Sequence, residues 1–400
     1  MEKTKSTGIS GGSGVGGGNG ARGSSGISRA RFLAGTAAAG LTGALLPAAG
    51  ARAAERPAVA TAARGHGGGL TRRGVVYTIV DGETPVTGFS PARMRADIRT
   101  IRDGLHADTV EVTGDGVERL NATASEVAER GMHVWLQPTL GDVPERDILE
   151  HLAETGRHAE RLRRQGASVE FSVGCEFWLF VPGIVPGETV LDRIENLLNG
   201  TVDWEKMQRR LDRFTAKAAT VGRSVFHGRL SYAAAQDDKV DWNLFDVIGI
   251  DYYSYYPNRA DYVRELRHFL RWGKPLAITE FGTCTYEGAP QSGGMGWNVV
   301  DYDKVPQEIK GDLVRSECAQ AAYLVDLLEV FESMGLYAAM AFEFGTADAE
   351  HRADNPRFDI DMASYGINKA VKDRPGDPSS PWRWERKEAF RALARRYACR

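Results

Sequence analysis

From residue 73 onward the chain repeats one pattern eight times: a short β-branched or apolar run, then an amphipathic stretch. The runs are GVVYTIV (74–80), DTVEVTG (108–114), MHVWLQPT (132–139), SVEFSVGCEF (168–177), VFHGRLSYA (225–233), DVIGIDYY (246–253), PLAITEFG (275–282) and LYAAMAFEFG (336–345). Between them, ARMRADIRTIRDGL (92–105) places Met94, Ile98 and Ile101 on one helical face. Residues 147–166 and 315–335 repeat that spacing, and the second ends at Gly335, a residue type that caps helices. Strands that alternate with helices pair in parallel, because a parallel neighbour needs a crossover connection. Eight such units predict an α/β fold, a closed (β/α)8 TIM barrel. No G-x-G-x-x-G or G-x-x-x-x-G-K-[ST] follows the first run, which removes the main support for an open nucleotide-binding sheet.

The residues before this pattern read differently. Residues 7–27 are Gly/Ser-rich, a composition that cannot form a core. The segment SRARFLAGTAAAGLTGALLPAAGARAA (28–54) has basic residues, a moderately apolar run and a small-residue A-x-A at 51–53, the layout of an export signal. SRARFL matches a twin-arginine pattern except that Ala30 replaces the second arginine, so a degenerate twin-arginine or a Sec-type route is expected. The alternative is an uncleaved anchor, but Gly40, Gly43 and Pro47 interrupt the run and spanning takes about 20 apolar residues. The expected organisation is a leader and signal over 1–54, a linker over 55–72 and the barrel over 73–400. The mature protein is then secreted or envelope-associated, with no stable membrane insertion.

Charge narrows the partner. The formal net charge is −3, and residues 1–53 carry six basic side chains against Glu2, so the remainder carries −8. Nucleic acid, which demands basic patches, is excluded as a partner on this reading, whereas a neutral carbohydrate is compatible. The cysteines, Cys175, Cys284, Cys318 and Cys399, match no zinc spacing, and free buried thiols are expected. No H-x-H or H-E-x-x-H occurs, so neither a metal nor another cofactor is expected.

Barrel enzymes carry their chemistry at the C-terminal strand ends. Glu176 ends the fourth run and Glu280 the seventh. The sixth ends in Asp251, Tyr252 and Tyr253, the third in Gln137, the eighth in Glu343 and Phe344. Long connections follow the seventh and eighth runs, at 283–307 and 346–383. Two carboxyl groups facing each other across a barrel mouth suit glycoside cleavage: one protonates the leaving oxygen, the other attacks the anomeric carbon or activates water. The protonated partner needs a raised pKa, which Phe177 and Trp178 beside Glu176 can supply by desolvation.

These positions resemble the glycoside hydrolase clan A barrels, in which an acid/base glutamate follows strand four and a nucleophile glutamate follows strand seven. DVIGIDYYSYY (246–256) is similar to the strand-six segment of retaining β-glycosidases of that clan. The resemblance implies Glu176 as acid/base, Glu280 as nucleophile and Tyr253 as the tyrosine that holds the nucleophile. It further implies an oligo- or polysaccharide substrate. Asp251 stands where the clan has asparagine, Cys175 replaces the asparagine before the acid/base, and FEFG closes strand eight without the clan's tryptophan. The candidate substrate contacts are Tyr253, Asp251, Gln137, Trp178, Trp297 and Glu343. TYEGAPQSGGMGWNVVD (285–301) with FDIDMASYGINKAV (358–371) also resembles exported actinobacterial proteins labelled abortive infection proteins, which implies a phage-defence association.

Duller readings stand beside these. Glu176 alone can be a structural acid, and Tyr286, Trp297 and Tyr302 can anchor a loop instead of stacking on sugar. Glu343 can carry the acid role or fill the mouth. Asp348, Glu350, Asp354, Asp359 and Asp361 lack calcium-loop spacing and read as a solvated loop. A catalytically degenerate barrel that binds carbohydrate or envelope glycan is the non-enzymatic alternative.

Overall fold

The structure, a computed structural model, describes residues 69–399. The leader, the export signal and nearly all of the expected linker lie outside the described residues. Eight parallel strands close a barrel: β1 (Arg72–Ile79), β2 (Thr109–Gly114), β3 (His133–Pro138), β4 (Val169–Cys175), β5 (Leu230–Ala235), β6 (Ile248–Asp251), β7 (Leu276–Phe281) and β8 (Ala338–Ala341). Consecutive strands are neighbours, and β8 returns to β1 with Arg72 opposite Ala338 and Val75 opposite Ala341. Barrel and surrounding helices share one continuous core, because each strand is buried on both faces.

The helices are α1 (Pro91–Thr100), α2 (Val117–Glu129), α3 (Glu145–Arg164), α4 (Val190–Leu198), α5 (Trp204–Val225), α6 (Arg259–Arg267), α7 (Glu317–Met334) and α8 (Glu388–Ala398). Their ends follow local chemistry. The Ser90 hydroxyl accepts from the Arg93 N–H ahead of α1, and Pro91 sits in the first turn, where its missing N–H costs nothing. Ser316 caps α7 in the same way, and Gly335 ends it at φ 64°.

Three boundaries differ from the sequence reading. The apolar letters at 225–229 belong to the end of α5 and a turn, so β5 begins at Leu230; Phe226 packs on Phe171, with centroids 5.6 Å apart. The expected helix 92–105 breaks into α1 and a π-helical turn, Ile101–Leu105. The run 336–345 is not one strand: β8 stops at Ala341, and Gly345–Glu350 (β9) joins Asn368–Lys372 (β10) and Trp382–Arg386 (β11) in a separate sheet.

The acidic loop expected to be solvated is partly an interior ion-pair network. Arg315 pairs with Asp359 and Asp361 at 3.1 and 2.8 Å, and the fully buried Lys387 Nζ lies 2.9 Å from Asp361. Asp361 is itself fully buried. Arg315 and Lys387 therefore supply the positive charge beside Asp361. All four cysteines are free of disulfides; Cys175 and Cys284 are buried as expected, but Cys318 and Cys399 are exposed. Among the described residues no helix is long and apolar enough to cross a membrane.

Candidate active site

The backbone at the end of β4 turns sharply. Glu176 adopts φ 34°, ψ 57°, one of three non-glycine residues with positive φ among those described. Its N–H donates to the Ala233 carbonyl on β5, and its own carbonyl accepts from Leu179 at the start of a single helical turn, Phe177–Phe180. A left-handed conformation at a glutamate costs about 1–3 kcal/mol and persists only where surrounding contacts impose it. Here the Phe177 N–H donates to the Tyr232 hydroxyl at 2.9 Å, and the Phe177 ring stacks on Tyr232 at 4.6 Å. These contacts pin the turn that presents Glu176.

Glu280, at the end of β7, accepts from the Tyr253 hydroxyl at 2.7 Å on Oε2. Its other oxygen faces the Cys175 thiol at 4.0 Å. Asp251, ending β6, repeats the arrangement: Oδ1 accepts from Thr279 at 2.7 Å and Oδ2 from Cys175 at 3.5 Å. Tyr253 is fixed at its backbone by Gln236, which accepts from its N–H at 3.0 Å and donates to Ser254 at 2.7 Å. Its ring meets Tyr365 edge-on at 5.6 Å.

Glu176, Asp251 and Glu280 have no solvent exposure. A fourth carboxyl joins them: Glu111 on β2, fully buried, with neither oxygen hydrogen-bonded within the protein. Both Glu176 oxygens also lack a partner. Burial, reinforced by Asp251 and then Asp238, pushes the Glu176 carboxyl well above the ordinary carboxylate range. Burial, then Asp251, does the same to Glu111. Burial also raises Glu280, with Asp251, Glu176 and Glu111 adding to it, while the Tyr253 hydrogen bond opposes. Asp251 is pushed up to about 7 by burial against the pull of its Thr279 and Cys175 donors.

The remaining expected contacts divide. Gln137 is buried at the end of β3 and donates to Thr113 at 3.4 Å, leaving its carbonyl oxygen without a partner. Trp178 is buried in the Phe177–Phe180 turn, and its indole N–H has no hydrogen-bond acceptor. Trp297 and Glu343 line a pocket with Tyr302, Thr346 and Tyr365, and the Tyr365 ring packs on Tyr253. Glu343 follows a cis peptide bond and accepts from Thr346 at 2.6 Å. The loop after β7 rests on the site: the Gly293 carbonyl accepts from Tyr365, and a β-carbon added at Gly293 would lie 3.1 Å from the Tyr253 carbonyl.

Sequence reasoning missed Glu111, Asp238 and Gln236. In DTVEVTG Glu111 takes a polar place in an alternating run, so only the parallel pairing, which covers strands on both faces, marks it as enclosed.

No protein-family model matches the chain, and no curated protein does. Solved structures do. A β-1,4-mannanase of family GH113 superposes with a TM-score of 0.53 at 16% identity, over 83% of this chain and 100% of the other. The GH113 β-mannanase AaManA from Alicyclobacillus acidocaldarius, in complex with ManMIm, gives 0.51 at 14%, over 82% and 97%. The likeness shows the fold. Nothing in these comparisons supports the abortive-infection resemblance.

Proposed function

We propose that this barrel is a glycoside hydrolase that cleaves O-glycosidic bonds with retention, Glu280 acting as nucleophile and Glu176 as acid/base. The observation that carries the reading is the Tyr253–Glu280 hydrogen bond at 2.7 Å, beside a Glu176 with no donor at all. A hydroxyl aimed at one carboxylate favours its ionised form, as a nucleophile requires. A desolvated carboxyl without donors keeps its proton, as a general acid requires. The GH113 mannanases that share the fold make β-mannans the first polysaccharides to test.

Because Glu176, Asp251 and Glu280 have no solvent exposure, substrate entry requires the residues that cover them to move. The same sealing favours the second reading, a degenerate carbohydrate-binding barrel. Export extends the proposal: residues 1–53 are removed and the barrel acts on glycan outside the cytoplasm, which intact-mass measurement of secreted protein checks.

Paired variants test the chemistry. Glu280→Gln abolishes turnover, since an amide cannot form the glycosyl-enzyme ester. Glu176→Ala slows substrates with poor leaving groups by about 10²–10⁴-fold, spares activated aryl glycosides in the first step, and is rescued by azide. Binding of glycan with no turnover by the wild type would instead establish the degenerate barrel.

A further inference from the structure

Each carboxylate at the ends of β6 and β7 uses one oxygen for a hydroxyl and turns the other toward the same thiol. Thr279 holds Asp251 Oδ1 and Tyr253 holds Glu280 Oε2. Asp251 Oδ2 and Glu280 Oε1 then face Cys175 Sγ at 3.5 and 4.0 Å. One ligand atom from each of the three residues lies within 4.8 Å of the other two. Hydroxyl donors on the outer oxygens of inward-turned carboxylates are the supporting shell of a metal site. Zinc bound to sulfur at about 2.3 Å and oxygen at about 2.0–2.2 Å spaces its ligands roughly 3.3–3.7 Å apart in a tetrahedron. The three atoms reach that spacing by contracting at most about 1.5 Å.

Glu111 is the independent observation. It is fully buried, both its oxygens lack a hydrogen bond, and it lies close enough to Cys175, Asp251 and Glu280 for their charges to interact. Among the described residues, no lysine, arginine or histidine forms an ion pair with Glu111, Glu176, Asp251 or Glu280. The Asp359/Asp361 pair contrasts with this, being neutralised by Arg315 and Lys387. An uncompensated buried carboxylate is costly, and a cation relieves it. A thiol among the ligands selects a thiophilic ion over magnesium or calcium.

We propose that Cys175, Asp251 and Glu280 form a site for one thiophilic divalent cation such as zinc, with solvent completing the coordination. Binding replaces the S–H bond with a metal–sulfur bond, and the thiol proton passes to solvent together with any proton held by the carboxyls. The binding site stands on its own geometry. Its consequence rests on the catalytic reading above: a metal on Glu280 Oε1 occupies the nucleophile, so occupancy and glycosyl-enzyme formation exclude each other.

The experiment uses the purified chain carrying Cys318→Ser and Cys399→Ser, which removes the two exposed thiols. Zinc titration by calorimetry gives one equivalent per chain, and cobalt gives a thiolate-to-metal charge-transfer band. Cys175→Ser abolishes the band. Thr279→Val keeps the band and weakens zinc binding by about 10–100-fold, the usual effect of losing a supporting hydrogen bond. Absence of zinc binding, or a band that survives Cys175→Ser, overturns the site. Circular dichroism and thermal melts show that each variant is folded, and competition by excess magnesium leaves zinc binding unchanged. On any substrate the wild type turns over, zinc inhibits, a chelator restores activity, and Cys175→Ser resists inhibition. A bound metal with undiminished turnover overturns the inhibitory role alone.

Discussion

Tyr253→Phe isolates the contact on which the nucleophile assignment depends. The substitution removes one oxygen atom and leaves the ring against Phe342 and Tyr365, with centroids 6.4 and 5.6 Å away. What is lost is a 2.7 Å hydrogen bond to a fully buried carboxylate. Hydrogen bonds to charged groups contribute about 1.5–3 kcal/mol. At about 1.4 kcal/mol per tenfold, the protonated form of Glu280 gains by roughly ten- to 150-fold over the ionised form. The hydroxyl lowers the Glu280 pKa, so its removal raises it. Below the acidic limb of the wild-type profile, kcat/KM on an activated aryl glycoside therefore falls by about ten- to 150-fold. The acidic limb moves to higher pH, and the loss shrinks as pH rises and Glu280 ionises again. A purely structural tyrosine lowers the rate equally at every pH. A uniform loss, or a change below threefold with the acidic limb unmoved, would refute the assignment.

Three further outcomes follow from the same structure. Lys387→Met strips a buried ammonium from Asp361 and Thr285, at 2.9 and 2.8 Å; breaking a buried pair costs about 3–5 kcal/mol, and retention of Arg315 on Asp361 sets the expected loss near 3, read from urea midpoints. Asp115 is pushed up to about 6, mainly by burial, from an ordinary 3.8, so the stability tied to its neutral form is fully present below about 4 and lost as pH rises through 6. Asp115→Asn keeps the acceptor for the Asp81 N–H and gains stability over the wild type by up to about 3 kcal/mol at pH 8 but not at pH 3; equal differences at both pH values would count against it. Gly114→Ala yields no soluble protein or a much lower Tm, because φ is 139° and the new β-carbon would sit 1.7 Å from the Ile79 carbonyl oxygen; a wild-type Tm would remove the argument.

The barrel was legible because alternation of strand and helix leaves few topologies, and the strand-end rule then converted positions into neighbours. Glu176, the Asp251–Tyr253 segment and Glu280 are far apart in sequence, yet each lies at the end of a parallel strand, so closure brings them together. Glu111 was not legible in the same way. In DTVEVTG it reads as the polar half of an alternating strand, and only the ladder that sets Val76, Glu111 and Trp135 side by side shows it enclosed. Gln236 and Asp238 lie in the turn after β5, where sequence carries no periodicity to orient a side chain. Asp361 looked like one acid in a hydrophilic loop because its cation, Lys387, is distant in sequence and precedes α8.

The four buried carboxyls cannot all be charged, and the donors around them decide which are. Glu280 and Asp251 each receive a hydroxyl at 2.7 Å, and Cys175 faces both. Glu176 and Glu111 receive nothing. Donors favour the ionised form, and desolvation without donors favours the neutral one. Protons therefore reside first on Glu176 and Glu111, and whatever negative charge the cluster holds resides on Glu280 and Asp251. On the proposed reading, acid and nucleophile are sorted by hydrogen-bond geometry, and the same sorting leaves one oxygen each of Asp251 and Glu280 and a thiol facing one point. A site arranged in this way answers to protons on one pair and to a thiophilic cation on the other. Its activity is then expected to fall both when acid neutralises Glu280 and when zinc binds it, through two losses that a chelator distinguishes.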